Sequence, residues 1–232
     1  MKIGVFGDSF ADQTWDQYDW ATIWYKELRL QGHTVSVFGE GGSSISYSAK
    51  LIEWHGHGYD LIIWCVTTPG RVSYQVNNQW YHISAGTEDR NNINPKKLGI
   101  TDVEVIKKHM VASDYIKWLF DWEQAKMESS ALVRDFQSRY NMMVIPCFEA
   151  PMSADFNLYN ICEWEAQHWF PGKNMVDIQS KWKDMRPGHL GRDNQLRLGK
   201  LIGNNLNPGI FTASIDDFML PTQSLHEVFE KV

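Results

Sequence analysis

Basic residues are in short supply: 22 Lys and Arg stand against 28 Asp and Glu, leaving a formal charge of −6 over 232 residues. Neutralising nucleic-acid phosphates needs a basic surface, and the pairs in "NPKKLG" and "VIKKHM" are too short to make one. No nucleic-acid partner is expected. Cysteine is scarce as well. Cys65, Cys147 and Cys162 are odd in number and lack CxxC spacing, which predicts reduced, buried thiols and no disulfide framework. No apolar run approaches the roughly 20 residues that cross a bilayer, so no membrane partner is expected. The chain enters a strand at once without a secretion leader, which predicts a cytoplasmic location. Repeats and low-complexity tracts are missing too, and the length fits one domain over residues 1–232.

What the sequence does have is an apolar content of 43%, with 11 Trp and 9 Tyr, enough for a substantial core. "KIGVF" reads as a strand. "DWATIWYKELRLQG" puts Trp20, Ile23, Trp24 and Leu28 on one helical face, with Asp19 as N-cap and Gly32 as the stop. "HTVSVFG" is a second strand, "SYSAKLIEWHGHG" a second helix, and "YDLIIWCV" a continuous apolar strand buried on both faces. This alternation predicts right-handed crossovers and an α/β fold with a mostly parallel sheet. Residues 73–100, Asn-rich and broken by Gly and Pro, read as an insertion that forms a lid or hairpin over a site. Two helices are expected over 101–140, a strand at "NMMVIPCF", an irregular aromatic stretch over 151–174, a helix at "DNQLRLGKLIGNNL" and an acidic tail over 215–232.

Candidate chemistry collects where strands end, because open parallel sheets carry their sites at the carboxyl edge. The first strand runs into Gly7-Asp8-Ser9-Phe10, which places Ser9 in a tight turn. A helix starting soon after would favour developing negative charge there; a plain helix cap is the simpler reading of four residues. Gly41 and Gly42 in "GEGGSS" allow close backbone approach. "TTPGR" after the third strand offers Thr67, Thr68 and Arg71. Late in the chain, "KWKDMRPGHLGRDNQ" holds His189, a candidate general base, with Asp184 five residues earlier to orient it.

Taken in order, "GDSF" at 7–10, "GGSS" at 41–44 and "DMRPGHLG" at 184–191 resemble the blocks of the SGNH, or GDSL-type, hydrolase family. The resemblance implies a three-layer α/β/α sandwich, flavodoxin-like, and hydrolysis of esters, sugar O-acetyl groups, thioesters or lipids without a metal or other cofactor. It implies Ser9 as nucleophile and His189 as base. The oxyanion would rest on the N–H groups of Ser9 and Gly42, with Gly41 as the fallback. Two blocks depart from the family. Where it reads Gly-x-Asn-Asp, this chain has Thr67-Thr68-Pro69-Gly70, so Thr68 or Arg71 would have to replace the Asn donor. Where it places Asp three residues before His, this chain has Arg186, so the acid is Asp184 or the site is a Ser–His dyad.

The expected function is therefore ester hydrolysis through an acyl-enzyme, acting on a small ester or an acetylated carbohydrate. Asp8, Trp80, Tyr81, Trp164 and Trp169 are the candidates for contacting substrate, although core packing is the stronger reading for each aromatic taken singly. A dinucleotide site fails because Gly4 and Gly7 do not make G-x-G-x-x-G. His55 and His57, or Cys162, Glu163, Glu165 and His168, suggest a metal, and Glu165 and His168 at i, i+3 could share one. There is no HExxH and no paired Cys at zinc spacing, however, so exposed polar faces are the simpler reading. The serious rival is a binding or assembly protein on the same fold, with self-association or a place in a virion, since a similar third block is familiar among bacteriophage-type members.

Overall fold

The computed structural model describes residues 1–14, 23–84, 101–148, 156–169 and 190–218, without the side chains of 166–169 and 192. Five strands form one parallel sheet: β1 (Lys2–Asp12), β2 (Thr34–Gly39), β3 (Leu61–Val66), β6 (Met142–Pro146) and β7 (Gly209–Ile210), in the order β2-β1-β3-β6-β7. A separate antiparallel hairpin joins β4 (Arg71–Val76) to β5 (Gln79–Ser84). The fold is α/β, as the strand–helix alternation predicts.

Alternation along the strands builds two cores. Ile3, Val5, Leu61, Ile63, Met143 and Ile145 point to one face, where they meet α1 (Trp24–Leu30), α5 (Leu158–Trp169) and α6 (Arg192–Asn204). Phe6, Ile62, Trp64, Met142 and Val144 point to the other, against α2 (Ile45–His55) and α4 (Trp122–Arg139). Side chains of successive strand residues leave on opposite faces, so one run of apolar residues fills both layers. The remaining helix, α3 (Val103–Trp118), packs beside the hairpin. The three cysteines are free and buried, and burial pushes the Cys147 thiol well up.

Three elements differ from the sequence expectation. β1 does not stop at Phe6. It leaves the ladder after Gly7 and returns at Asp12, with both residues opposite Gly39. Gly7 adopts φ +151°, and a Cβ there would lie 2.5 Å from the Cys65 carbonyl oxygen, so glycine is required. The first helix begins at Trp24 and not near Trp20. Its first N–H is capped from a distance, by Gln195 Oε1 at 3.1 Å. Asp19 and Trp20 lie outside the described residues, as do 85–100 of the insertion and 219–232 of the tail. The stretch expected to be irregular contains α5, capped by Asn157, whose Oδ1 accepts from the Asn160 N–H at 2.9 Å. Leu158, Ile161, Cys162 and Glu165 form its buried stripe.

Candidate active site

The chain moves from β1 outward to β2, then back across to β3 on the other side of β1. This reversal leaves a crevice at the carboxyl ends of β1 and β3, the place where ligands bind in open α/β sheets. Asp8 stands there, fully buried. Its Oδ1 accepts from the Phe10 N–H at 3.1 Å. Its Oδ2 accepts from Thr67 Oγ1 at 2.8 Å and from Arg71 Nη1 at 2.5 Å. Arg71 Nη1 also donates to Thr67 Oγ1 at 2.7 Å, and the guanidinium lies 4.9 Å from the Phe148 ring centroid. A buried carboxylate needs an opposite charge and hydrogen bonds to remain ionised. Asp8 was expected at the substrate. It is instead the anchor for Arg71, and its burial removes it from contact with a ligand.

Ser9 is half-buried in the bulge between Gly7 and Asp12. Residues lifted from a ladder need other partners for their carbonyls. The Gly7 carbonyl accepts from Ser43 Oγ at 3.2 Å and from the Glu40 N–H at 3.4 Å. Phe10 O accepts from Trp24 Nε1 at 2.9 Å, and Asp12 O from the Tyr25 hydroxyl at 3.0 Å. The loop after β2 and the first turn of α1 thus hold the Ser9 bulge in place. Four positions after Ser9 a 3-10 turn begins at Gln13 and Thr14, where the Thr14 N–H donates to Asp12 Oδ1 at 2.8 Å; α1 starts 15 positions after Ser9.

Gly41 and Gly42 line a cavity of about 370 Å³ together with Arg71, Trp80, Tyr81 and His82. Gly42 has φ +81°, a conformation that favours glycine. On its other side Arg71 borders a cavity of about 740 Å³, whose wall includes Thr68, Phe148, Tyr159 and Lys126. Six of the expected site residues, Gly41, Gly42, Thr68, Arg71, Trp80 and Tyr81, therefore line two cavities that share Arg71. Trp80 sets its ring edge against Tyr47 at 5.0 Å, and Tyr81 stacks on Tyr74 at 5.6 Å. Trp164 packs against the core. The Trp169 side chain, Asp184 and His189 lie outside the described residues.

A polar chain joins the hairpin to the glycine loop. The Ser44 N–H donates to Ser73 Oγ at 3.0 Å, and Ser73 Oγ lies 2.7 Å from His82 Nδ1. His82 Nε2 sits 3.4 Å from Glu40 Oε1, near enough for charge attraction but off the line of a hydrogen bond. The Tyr47 hydroxyl donates to Glu40 Oε2 at 2.9 Å. His82 first, and then Tyr47, hold the Glu40 carboxyl below its usual range against the opposing pull of burial. Burial, and then Glu40, push the Tyr47 hydroxyl up. Glu40, Ser73 and His82 were not singled out from the sequence, where nothing marks residues so far apart as partners.

Of the metal alternatives, the His168 side chain lies outside the described residues, and three others have partners. Glu165 Oε2 accepts from the Gly191 N–H at 2.8 Å, at the start of α6. His55 stacks on Phe38 at 4.8 Å, and His57 lies 3.3 Å from the Tyr140 hydroxyl. No protein-family model matches the chain, and no curated protein matches it.

Proposed function

We propose that this protein is a serine hydrolase of SGNH type that cleaves a carboxylic ester, with Ser9 as nucleophile. One observation carries the reading: Ser9 is lifted from β1 at the switch point of a parallel sheet, next to a buried Asp8 whose partner Arg71 borders three cavities. In this mechanism His189, oriented by Asp184, takes the Ser9 proton as Oγ attacks the ester carbonyl. The tetrahedral oxyanion rests on backbone N–H groups of Ser9 and the Gly41/Gly42 loop, with Thr68 or Arg71 completing the hole. The alcohol leaves, an acyl-enzyme remains, and water releases the acid. A small ester or an acetylated carbohydrate fits the half-apolar walls of the larger cavity.

A second reading, a binding or assembly protein on this fold, draws on the same arginine. Arg71 Nη1 is already committed to Asp8 and Thr67, so its charge is largely neutralised before any oxyanion forms. Two assays separate the readings: hydrolysis of p-nitrophenyl acetate and butyrate by wild type and Ser9→Ala, and intact-mass labelling with a fluorophosphonate. The enzyme predicts a single label on Ser9 and a loss of turnover in Ser9→Ala on the order of 10³ or more. A folded protein with no label and no Ser9-dependent turnover is the binding protein.

A further inference from the structure

We propose that the outward face of α3 is a homodimer contact, in which two copies pack antiparallel about a two-fold axis passing between Met110 and Val111. α3 buries Val105, His109 and Ala112 toward the hairpin. At 100° per residue the diametrically opposite stripe is Val103, Lys107, Met110, Val111, Asp114 and Trp118. The four apolar members are open to solvent: Val103 64%, Met110 57%, Val111 69% and Trp118 71%. A polar helix face needs no cover, but four large apolar side chains in one stripe mark a contact surface.

The order of residues in that stripe selects the occupant. A two-fold contact presents one surface to itself, so residue i must suit residue j and j must suit i. An antiparallel pairing centred between Met110 and Val111 sets Val103 against Trp118, Lys107 against Asp114 and Met110 against Val111. Each pairing occurs twice. Both charged pairs are of opposite sign and all apolar residues meet apolar ones. Lys107 and Asp114 make no ion pair among the described residues, whereas the neighbouring Lys108 and Glu104 already face each other at 3.7 Å. The two unspent charges are thus the two that the second copy would neutralise. A helix of 16 residues is about 24 Å long, so the contact is smaller than a standard interface of roughly 1,200 Å² or more, and the dimer is weak.

Sedimentation velocity of the full chain, from low micromolar into the hundreds of micromolar, tests the contact. Wild type is expected to dimerise with rising concentration. Lys107→Glu sets acid against acid at both ends and weakens the dimer by roughly tenfold or more. Asp114→Lys does the same with bases. Mixing the two single variants restores a dimer, now between unlike chains, because the acid introduced at 107 faces the lysine introduced at 114. Both positions are exposed, and near-ultraviolet circular dichroism checks that the variants keep their fold. A wild type that stays monomeric, a dimer indifferent to the single reversals, or a mixture that fails to associate would each overturn the proposal. None of these outcomes depends on ester hydrolysis.

Discussion

At the scale of single residues, the Asp8–Arg71 pair decides what the site can be. Asp8 has no exposure and Arg71 keeps 13% of its side chain in reach of solvent. Removing one partner of a buried pair leaves the other charge uncompensated, which costs about 3–5 kcal/mol in full burial. The residual exposure of Arg71 lets water relieve part of that, so Asp8→Asn is expected to cost about 3 kcal/mol or somewhat less, read by urea unfolding. The single Asn oxygen can accept from Phe10 or from Thr67 but not from both, so the loss includes one hydrogen bond as well as the charge. A change below about 1 kcal/mol would mean that Arg71 turns out to water when Asp8 is neutral, and that the pair is not a fixed part of the site.

At the scale of elements, the hairpin β4–β5 stands outside the main sheet and must be held by side chains. Its turn falls in the Asn-rich stretch read as a lid or hairpin, although the turn residues were not singled out: Asn77 and Asn78 take φ of 49° and 65°, the two positive values that an Asn-Asn hairpin turn supplies at low cost. Its start was read two residues late, because the pairing of Arg71 with Ser84 is a cross-strand fact. Beyond the Ser73–His82 chain, the hairpin is tied to α3 through Tyr74, whose hydroxyl lies 2.7 Å from His109 Nδ1. Tyr74 is pushed up to about 12, chiefly by burial, so it remains a neutral donor. Burial lowers the His109 pKa below its ordinary 6.5. The folded state therefore binds fewer protons at His109 than the unfolded chain does. Its contribution is complete above pH 6.5 and declines as the pH falls through that value toward the lower folded pKa. Between about pH 7.5 and about pH 5.5, wild type should lose more stability than His109→Gln, since the carboxylates titrate in both proteins and only the imidazole differs. Equal losses in the two proteins would show that His109 takes up its proton without cost.

At the scale of the whole molecule, the sheet was readable and its clamps were not. β3 is apolar on both faces and could be nothing but a central strand; the ends of β1, β2 and β3 pointed to Ser9, Gly41, Gly42 and Arg71 from one-dimensional cues. The Asp8–Thr67 and Asp8–Arg71 bonds join residues 59 and 63 positions apart, which no local pattern announces. α5 was missed although its stripe has helical spacing, because a polar cap and flanking aromatics hid the period. The packing of α6 on α1 was equally silent, and Gln195 of α6 reaches the Trp24 N–H through it. Gly199 faces the Trp24 carbonyl and the Glu27 side chain, where a Cβ would sit 2.5 Å from Glu27 Cβ and closer still to the Trp24 oxygen. In a free helix Gly→Ala gains up to about 1 kcal/mol. Here the clash is with backbone, which cannot rotate away, and overpacking of about 1–3 kcal/mol exceeds that gain. Gly199→Ala should therefore lower the urea midpoint, while Gly203→Ala, which meets only the end of the Gln31 side chain, should change it far less. The displacement has a path to Ser9. Pushing α6 away draws Gln195 off the Trp24 N–H, and Trp24 in turn holds the Phe10 carbonyl of the bulge. If Ser9 is the nucleophile, Gly199→Ala should also slow its labelling by fluorophosphonate under conditions where the protein is fully folded, and exposed Lys200→Ala should leave both readouts alone. A stable Gly199→Ala protein would mean that the α1–α6 contact yields freely and does not position the bulge.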